Sequence, residues 1–212
     1  MRYLIFSDTH LTPTFEPAKF QILKDAITRA DRVIINGDFW EGFAGTFEQF
    51  TNSRWATELF PLLKKKKTVY LFGNHDPKRL SDKRVALFSV EQGDRYEFVS
   101  GKNRYVVEHG NRLIRFPDLS APMRHILEYI EDAVFRVMGK TFIRFAYKRF
   151  NDRIKRKIRG EYKANEYLIT GHTHYAEVDL ENHYINGGFN NYGLSQYLFI
   201  ENGVVTPIEK RY

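Results

Sequence analysis

The sequence predicts an α/β fold, and three observations carry that reading. Short β-like apolar runs alternate with helix-like stretches between residues 3 and 116, the spacing of βαβ crossovers in a largely parallel sheet. Apolar residues in the first helix-like stretch, Phe20, Leu23, Ile27 and Ala30, recur at three or four positions and make one face that packs on a sheet. Five of the apolar runs also end on Asp, Asn or His, where a strand stops. Open α/β sheets bind ligands at that edge.

In order, the expected elements begin with a strand at Tyr3–Phe6, a helix at Pro17–Arg29 and a strand at Val33–Ile35. A helix at Phe47–Leu63, a strand at Val69–Phe72 and a short helix from Asp82 to Phe88 follow. Tyr96–Val99 and Arg104–Val107, joined through Ser100, Gly101, Lys102 and Asn103, read as a β-hairpin. From Pro117 to Tyr162 the period turns helical, with Met123, Ile126, Leu127, Ile130, Val134, Val137 and Met138 on one face and a break near Gly139. Strands return at Tyr167–Thr170, Ala176–Asp179, His183–Ile185, Ser195–Ile200 and Val204–Ile208. The two halves of the sheet then face each other as a sandwich, with residues 117–162 as a helical insertion in a single domain of residues 1–212.

Composition narrows the chemistry. At 42% hydrophobic and 16% aromatic residues, the chain has the material for a core and does not resemble a disordered one. It has no cysteine, so any metal must be held by nitrogen and oxygen. No apolar run approaches the roughly 20 residues that span a bilayer, nor is the first one long enough for a signal peptide, so a cytoplasmic location is expected, peripheral to the membrane if the insertion docks there. The net charge of +7 is concentrated in the insertion, where Lys140, Arg144, Lys148, Arg149, Arg153, Lys155, Arg156, Lys157, Arg159 and Lys163 face only Asp152 and Glu161. Such a stretch suits an anionic membrane surface, a lipid or, less well, a nucleic acid. The simpler alternative is a helical hairpin whose apolar stripe packs on the core while its charges are solvated.

The strand-end residues are Asp8 and His10 in Ser-Asp-Thr-His, Asp38 in Asn-Gly-Asp, Asn74, His75 and Asp76 in Gly-Asn-His-Asp, His109 in Glu-His-Gly, and His172 and His174 in Gly-His-Thr-His. Singly, Asp8-Thr9-His10 and Gly37-Asp38 read as well as turns, since Asp and Thr accept local backbone hydrogen bonds, whereas a turn alone explains Gly73-Asn74-His75-Asp76 poorly and the alternate imidazoles of His172 and His174 suit ligation better than a bare surface. Together they supply seven candidate ligands of hard-to-borderline chemistry, with glycine beside four of the five sites.

This order of motifs resembles the calcineurin-like metallophosphoesterase superfamily, and all five motifs stand intact from Asp8 to His174. The resemblance implies an αββα fold, a β-sandwich flanked by helices, that holds two divalent cations, manganese first with iron or zinc as alternatives. It implies that Asp8, His10 and His174 hold one cation, that Asn74, His109 and His172 hold the other, and that Asp38 bridges them. A water shared by the two cations would become the hydroxide that attacks a phosphodiester or pyrophosphate. His75 would serve the leaving-group oxygen, and Asp76 would orient its ring. Glu41, three residues after Asp38, is read either as a supporting acid or as a surface residue. His125 and His183 are read as structural, and Asn186 as a turn residue beside the fifth motif.

In layout the chain is similar to the UDP-2,3-diacylglucosamine hydrolase-like branch, which also places helices between the fourth and fifth motifs. It departs from that branch at His75, where the branch has arginine, and at Asn111, where the branch has aspartate. The alternatives are a nucleic-acid phosphodiesterase or nuclease, and a non-catalytic scaffold like the retromer subunit of the same fold.

Overall fold

The computed structural model describes residues 1–114 and 139–212. The first half of the expected insertion, including His125 and the Met123–Met138 face, lies outside the described residues.

Two sheets pack face to face. The first contains β1 (Arg2–Phe6), β2 (Arg32–Asn36), β3 (Val69–Leu71), β4 (Glu91–Gly93), β10 (Asn190–Asn191), β11 (Leu194–Glu201) and β12 (Val204–Arg211). Its order is β10-β11-β1-β2-β3-β4, with β12 paired to β11. β1 to β4 run parallel, and β11 returns antiparallel to β1. The second sheet has the order β5-β6-β7-β9-β8, from β5 (Arg95–Ser100), β6 (Asn103–Glu108), β7 (Glu166–Thr170), β8 (Glu177–Asp179) and β9 (Tyr184–Asn186).

Alternation along the strands explains the layering. In β1, Tyr3 and Ile5 point into the space between sheets and meet Phe98, Tyr105, Val107, Ile169 and Ile185. Leu4 and Phe6 point the other way, onto α1 (Pro17–Thr28), α2 (Phe47–Thr51), α3 (Arg54–Glu58) and α4 (Phe60–Lys65). On the far side of the second sheet, Val106, Leu168 and Tyr184 pack against Ile154 and Ile158 of α5 (Gly139–Lys157) and its exit. Strands buried on both faces read as near-continuous apolar runs, which is why they were legible. The layers are α, β, β, α.

Some boundaries differ from expectation. The single helix expected over Phe47–Leu63 is three short ones, because Ser53 caps a fresh start by accepting the Trp55 N–H, and Pro61 sits in the first turn of the next. Lys83–Leu87 is a 3₁₀ helix, capped by Asp82. β4 and β10 were not anticipated, and β12 runs on to Arg211 through Pro207, which an edge strand tolerates. In the hairpin, Gly101 takes φ +60°, which suits the first central position of a two-residue turn.

Candidate metal centre

All seven expected ligands converge where the carboxyl ends of β1, β2, β3, β6 and β7 meet, at the seam between the sheets. The first and second motif loops are zipped by backbone bonds: Thr9 and His10 donate to the Asp38 carbonyl at 2.9 and 3.0 Å, and Leu11 donates to Phe39 at 3.0 Å. The fifth loop is drawn to the first across the sandwich, because the His172 N–H donates to the Asp8 carboxylate at 3.1 Å. Five of the seven ligands, Asp8, His10, Asp38, His172 and His174, have φ between 44° and 64°. That left-handed conformation costs roughly 1–3 kcal/mol per non-glycine residue. The hydrogen bonds between loops hold it.

Glycines make room for this convergence. A Cβ on Gly73 would lie 2.1 Å from Asp38 Oδ1, and one on Gly37, which also has φ +80°, would lie 2.4 Å from His109 Nδ1.

Three groups bring their ligand atoms within 4.8 Å of one another: Asp8, His10 and His174; Asp38, His109 and His172; and His10, Asp38 and His75. Asn74 joins the second, its Oδ1 lying 3.1 Å from His109 Nε2. His109 Nε2 is also 3.1 Å from Asp38 Oδ2, while its Nδ1 donates to the Asn36 carbonyl at 2.9 Å. His172 Nε2 lies 3.0 Å from the Ile114 carbonyl. A backbone carbonyl on one imidazole nitrogen fixes the ring and leaves the other nitrogen for a ligand.

The donor set fits divalent cations. It is all nitrogen and oxygen, the set that manganese, iron and zinc accept. The buried Nε2 of His10 has no hydrogen-bond partner among the described residues, an arrangement that costs free energy unless something occupies it. Asp8 stays ionised: burial pushes its pKa up, but His174 and His109 bring it below the usual carboxylate range. Burial and the neighbouring His109 push His172 down to about 4, so its imidazole is neutral and ready to bind metal.

His75 has a different partner from the one expected. Its Nδ1 lies 2.8 Å from Glu41 Oε2, and the same oxygen is 2.9 Å from His10 Nδ1. The Asp76 carboxylate is committed elsewhere. It accepts the N–H groups of Asp38, Phe39 and Gly73 at 3.0, 2.6 and 2.7 Å, and the Tyr70 hydroxyl at 2.8 Å. Asp76 therefore ties the third loop to the second, and Glu41 is the carboxylate that orients the His75 ring. Burial pushes His75 down, yet Asp38 and Glu41 outweigh it and hold the ring up at about 9. Glu41 was weighed in the sequence as much for a surface residue as for a supporting acid. It is buried.

The fifth loop rests on a polar plug that the sequence did not single out. Asn151 of α5, fully buried, accepts from the Thr173 hydroxyl at 2.5 Å and the Tyr184 hydroxyl at 2.9 Å, and donates to the Tyr175 carbonyl at 3.0 Å. Asn186, expected near this loop, donates to the Gly171 carbonyl at 2.8 Å. His183 lies away from the centre, its Nδ1 2.9 Å from the Glu166 carbonyl. Along α5 the basic charge is partly consumed internally, since Lys155 lies 2.8 Å from Glu177 and 2.9 Å from Asp179. For the described part of the insertion, the helix is packed on the core.

The centre opens into a cavity of about 430 Å³. His10, Asp38, Glu41, Asn74, His75, His172 and His174 line it together with Tyr147, Phe150, Phe189 and Tyr192. No helix among the described residues is long and apolar enough to cross a membrane.

Yfce, a phosphoesterase from E. coli, shares the fold with a TM-score of 0.56 at 17% identity, over 97% of this chain and 91% of that one. The zinc complex of wild-type Vps29 from Entamoeba histolytica gives 0.48 at 13% identity, over 100% and 99%. No curated protein matches this chain. The profile of the calcineurin-like phosphoesterase family matches residues 1–176, which include all five motif loops, and the chain belongs to that family.

Proposed function

We propose that this protein is a divalent-metal-dependent phosphoesterase that hydrolyses a phosphodiester or pyrophosphate bond. The observation that carries the reading is the pair of ligand groups, Asp8 with His10 and His174, and Asp38 with His109 and His172, converging in one cluster. In this reading the first group and the second, completed by Asn74, each hold one cation, and Asp38 reaches both. Two such cations would activate water and offset charge on the phosphoryl oxygens.

The chain's own residues do the rest. Asp38 is held ionised although burial opposes it, because His109 and His75 lie beside it. Glu41 fixes Nδ1 of His75, leaving Nε2 to meet the leaving-group oxygen, and an imidazolium there can donate a proton. Asp76 holds the loops of Asp38 and His75 in register without touching the ring.

Purified protein supplied with Mn²⁺ should cleave bis-p-nitrophenyl phosphate and bind metal by elemental analysis. Failure of both would sink the reading. A nucleotide-linked lipid such as UDP-2,3-diacylglucosamine belongs in the same assay, supported by the position of the helical insertion and by its basic residues. Release of a nucleoside monophosphate is the readout that supports that substrate.

A further inference from the structure

We infer that the cavity selects phosphodiesters whose non-leaving arm carries a planar ring, an aryl group or a nucleobase. This rests on the phosphoesterase reading and names its substrate class. The cavity lining is of two chemical kinds. The carboxylates and imidazoles account for the phosphoryl group and its cations. The aromatic residues, Tyr147 and Phe150 from α5 with Phe189 and Tyr192 from the segment before β11, are not required by that chemistry.

Four rings among the lining residues favour a flat partner, because aromatic faces stack or meet edge-on with planar groups and gain beyond the area buried. Two of them abut a candidate ligand. Phe189 stacks on His174 with centroids 5.5 Å apart at 26°, and Tyr147 meets the same imidazole edge-on at 6.0 Å. A substituent on a phosphoryl group held at the centre therefore reaches these rings directly. Thr12 and Asn191 also line the cavity and supply polar atoms for the edge of a base.

Charge separates this class from its rivals. Among the described residues lining the cavity there is no lysine or arginine. An arm bearing further phosphates, such as a nucleic-acid backbone, finds no cationic side chain among those described residues. A neutral planar arm needs none. The volume of about 430 Å³ suits one small-molecule ligand.

The test keeps the leaving group constant, so that its intrinsic reactivity cancels. The Mn²⁺-loaded protein is assayed with methyl, octyl, phenyl and thymidine-5′ esters of p-nitrophenyl phosphate. The expected result is a kcat/KM for the phenyl and thymidine arms at least about 10-fold above that for methyl, as expected for one stacked ring. That advantage should fall toward unity in Tyr147→Ala, and also in Tyr192→Ala, whose side chain is half exposed and whose loss threatens folding less. Phenyl and thymidine together separate the two sources of the ring: a thymidine rate above the phenyl rate identifies a nucleoside, and the reverse a simple aryl group. Equal rates for methyl and phenyl, or an octyl rate matching phenyl, overturn the inference while leaving the phosphoesterase reading intact. No hydrolysis of any ester with metal bound overturns that reading instead.

Discussion

Glu41 Oε2 lies 2.8 Å from Nδ1 of His75 and 2.9 Å from Nδ1 of His10, so one buried carboxylate oxygen orients both an expected metal ligand and the expected leaving-group imidazole. His75→Ala should keep its metal and lose turnover by roughly 100- to 10,000-fold, the range for a positioned acid or base. Glu41→Gln should lose turnover and also metal affinity, because His10 loses its orienting charge. Elemental analysis beside initial rates separates the two variants. Full activity in His75→Ala would remove the role assigned to the ring.

The same contact sets a pH dependence in metal-free protein. His75 is raised from 6.5 to about 9: burial opposes the shift, and Asp38 and Glu41 drive it. A histidine with a raised folded pKa adds stability that is whole below its unfolded value and lost as pH rises through the folded one. Glu41, at about 2 against the push of burial because His10 and His75 bond it, stays ionised throughout that window. The Tm gap between wild type and Glu41→Gln in EDTA should therefore be widest between about pH 4.5 and 6.5, and narrow toward about pH 9 as His75 deprotonates and toward about pH 2 as Glu41 protonates. A gap that does not vary with pH would count against the ion pair.

Metal should stabilise the fold. Asp8 and Asp38 are both buried, in reach of one another's field, and burial opposes the charge that neighbouring histidines sustain on them. Cations that bind only the folded chain add about 2.7 kcal/mol at 100 times their Kd. Differential scanning calorimetry should show Tm rising with Mn²⁺ and falling on chelation. Asp38→Asn should abolish most of that rise, because in the proposed reading this carboxylate serves both cations, and it lies in ligand reach of His109 and His172 and of His10.

Asn151 predicts that the insertion helix belongs to the metal centre. Its side chain holds Thr173, between His172 and His174. Asn151→Leu leaves the Thr173 hydroxyl without the acceptor it donates to, while the Tyr184 hydroxyl keeps Thr170, and should cost about 1–3 kcal/mol for the group left unsatisfied. Outer partners of metal ligands are worth about 10- to 100-fold in affinity, so Mn²⁺ binding by calorimetry should weaken by that order. Loss of stability with unchanged metal affinity would make the plug structural only.

Much of this was legible because the information was local. The strands are buried on both faces, so they stand out as apolar runs, and each ligand follows one directly in the chain. Glu41 was ambiguous because what makes it functional, His10 and His75, comes from two other loops. Asn151 carries no signal at all: in sequence it is a polar residue in a basic helix, and its partners come from β8, β9 and the loop after β7. β4 is Glu-Gln-Gly, without the alternation or branching of a strand, and forms only because its backbone pairs with β3. The helix breaks at Ser53 and Pro61 were visible in principle, since a capping serine and a first-turn proline are local signals.

The described half of the insertion predicts a division of labour along α5. Ile154 is fully buried against the second sheet. Ile154→Ala should cost about 2–5 kcal/mol, the range for a buried aliphatic side chain cut to alanine. Arg153 is tied to the helix by its contact over the Phe150 ring, at 5.7 Å. Arg153→Glu should change stability by less than about 1 kcal/mol, since exposed substitutions away from caps and networks are small. If the basic edge docks on anionic lipid, the same reversal must weaken binding to phosphatidylserine vesicles and leave hydrolysis of bis-p-nitrophenyl phosphate unchanged, because Arg153 does not line the cavity. Unchanged vesicle binding in Arg153→Glu, with the large cost of Ile154→Ala, would assign the helix to the core alone.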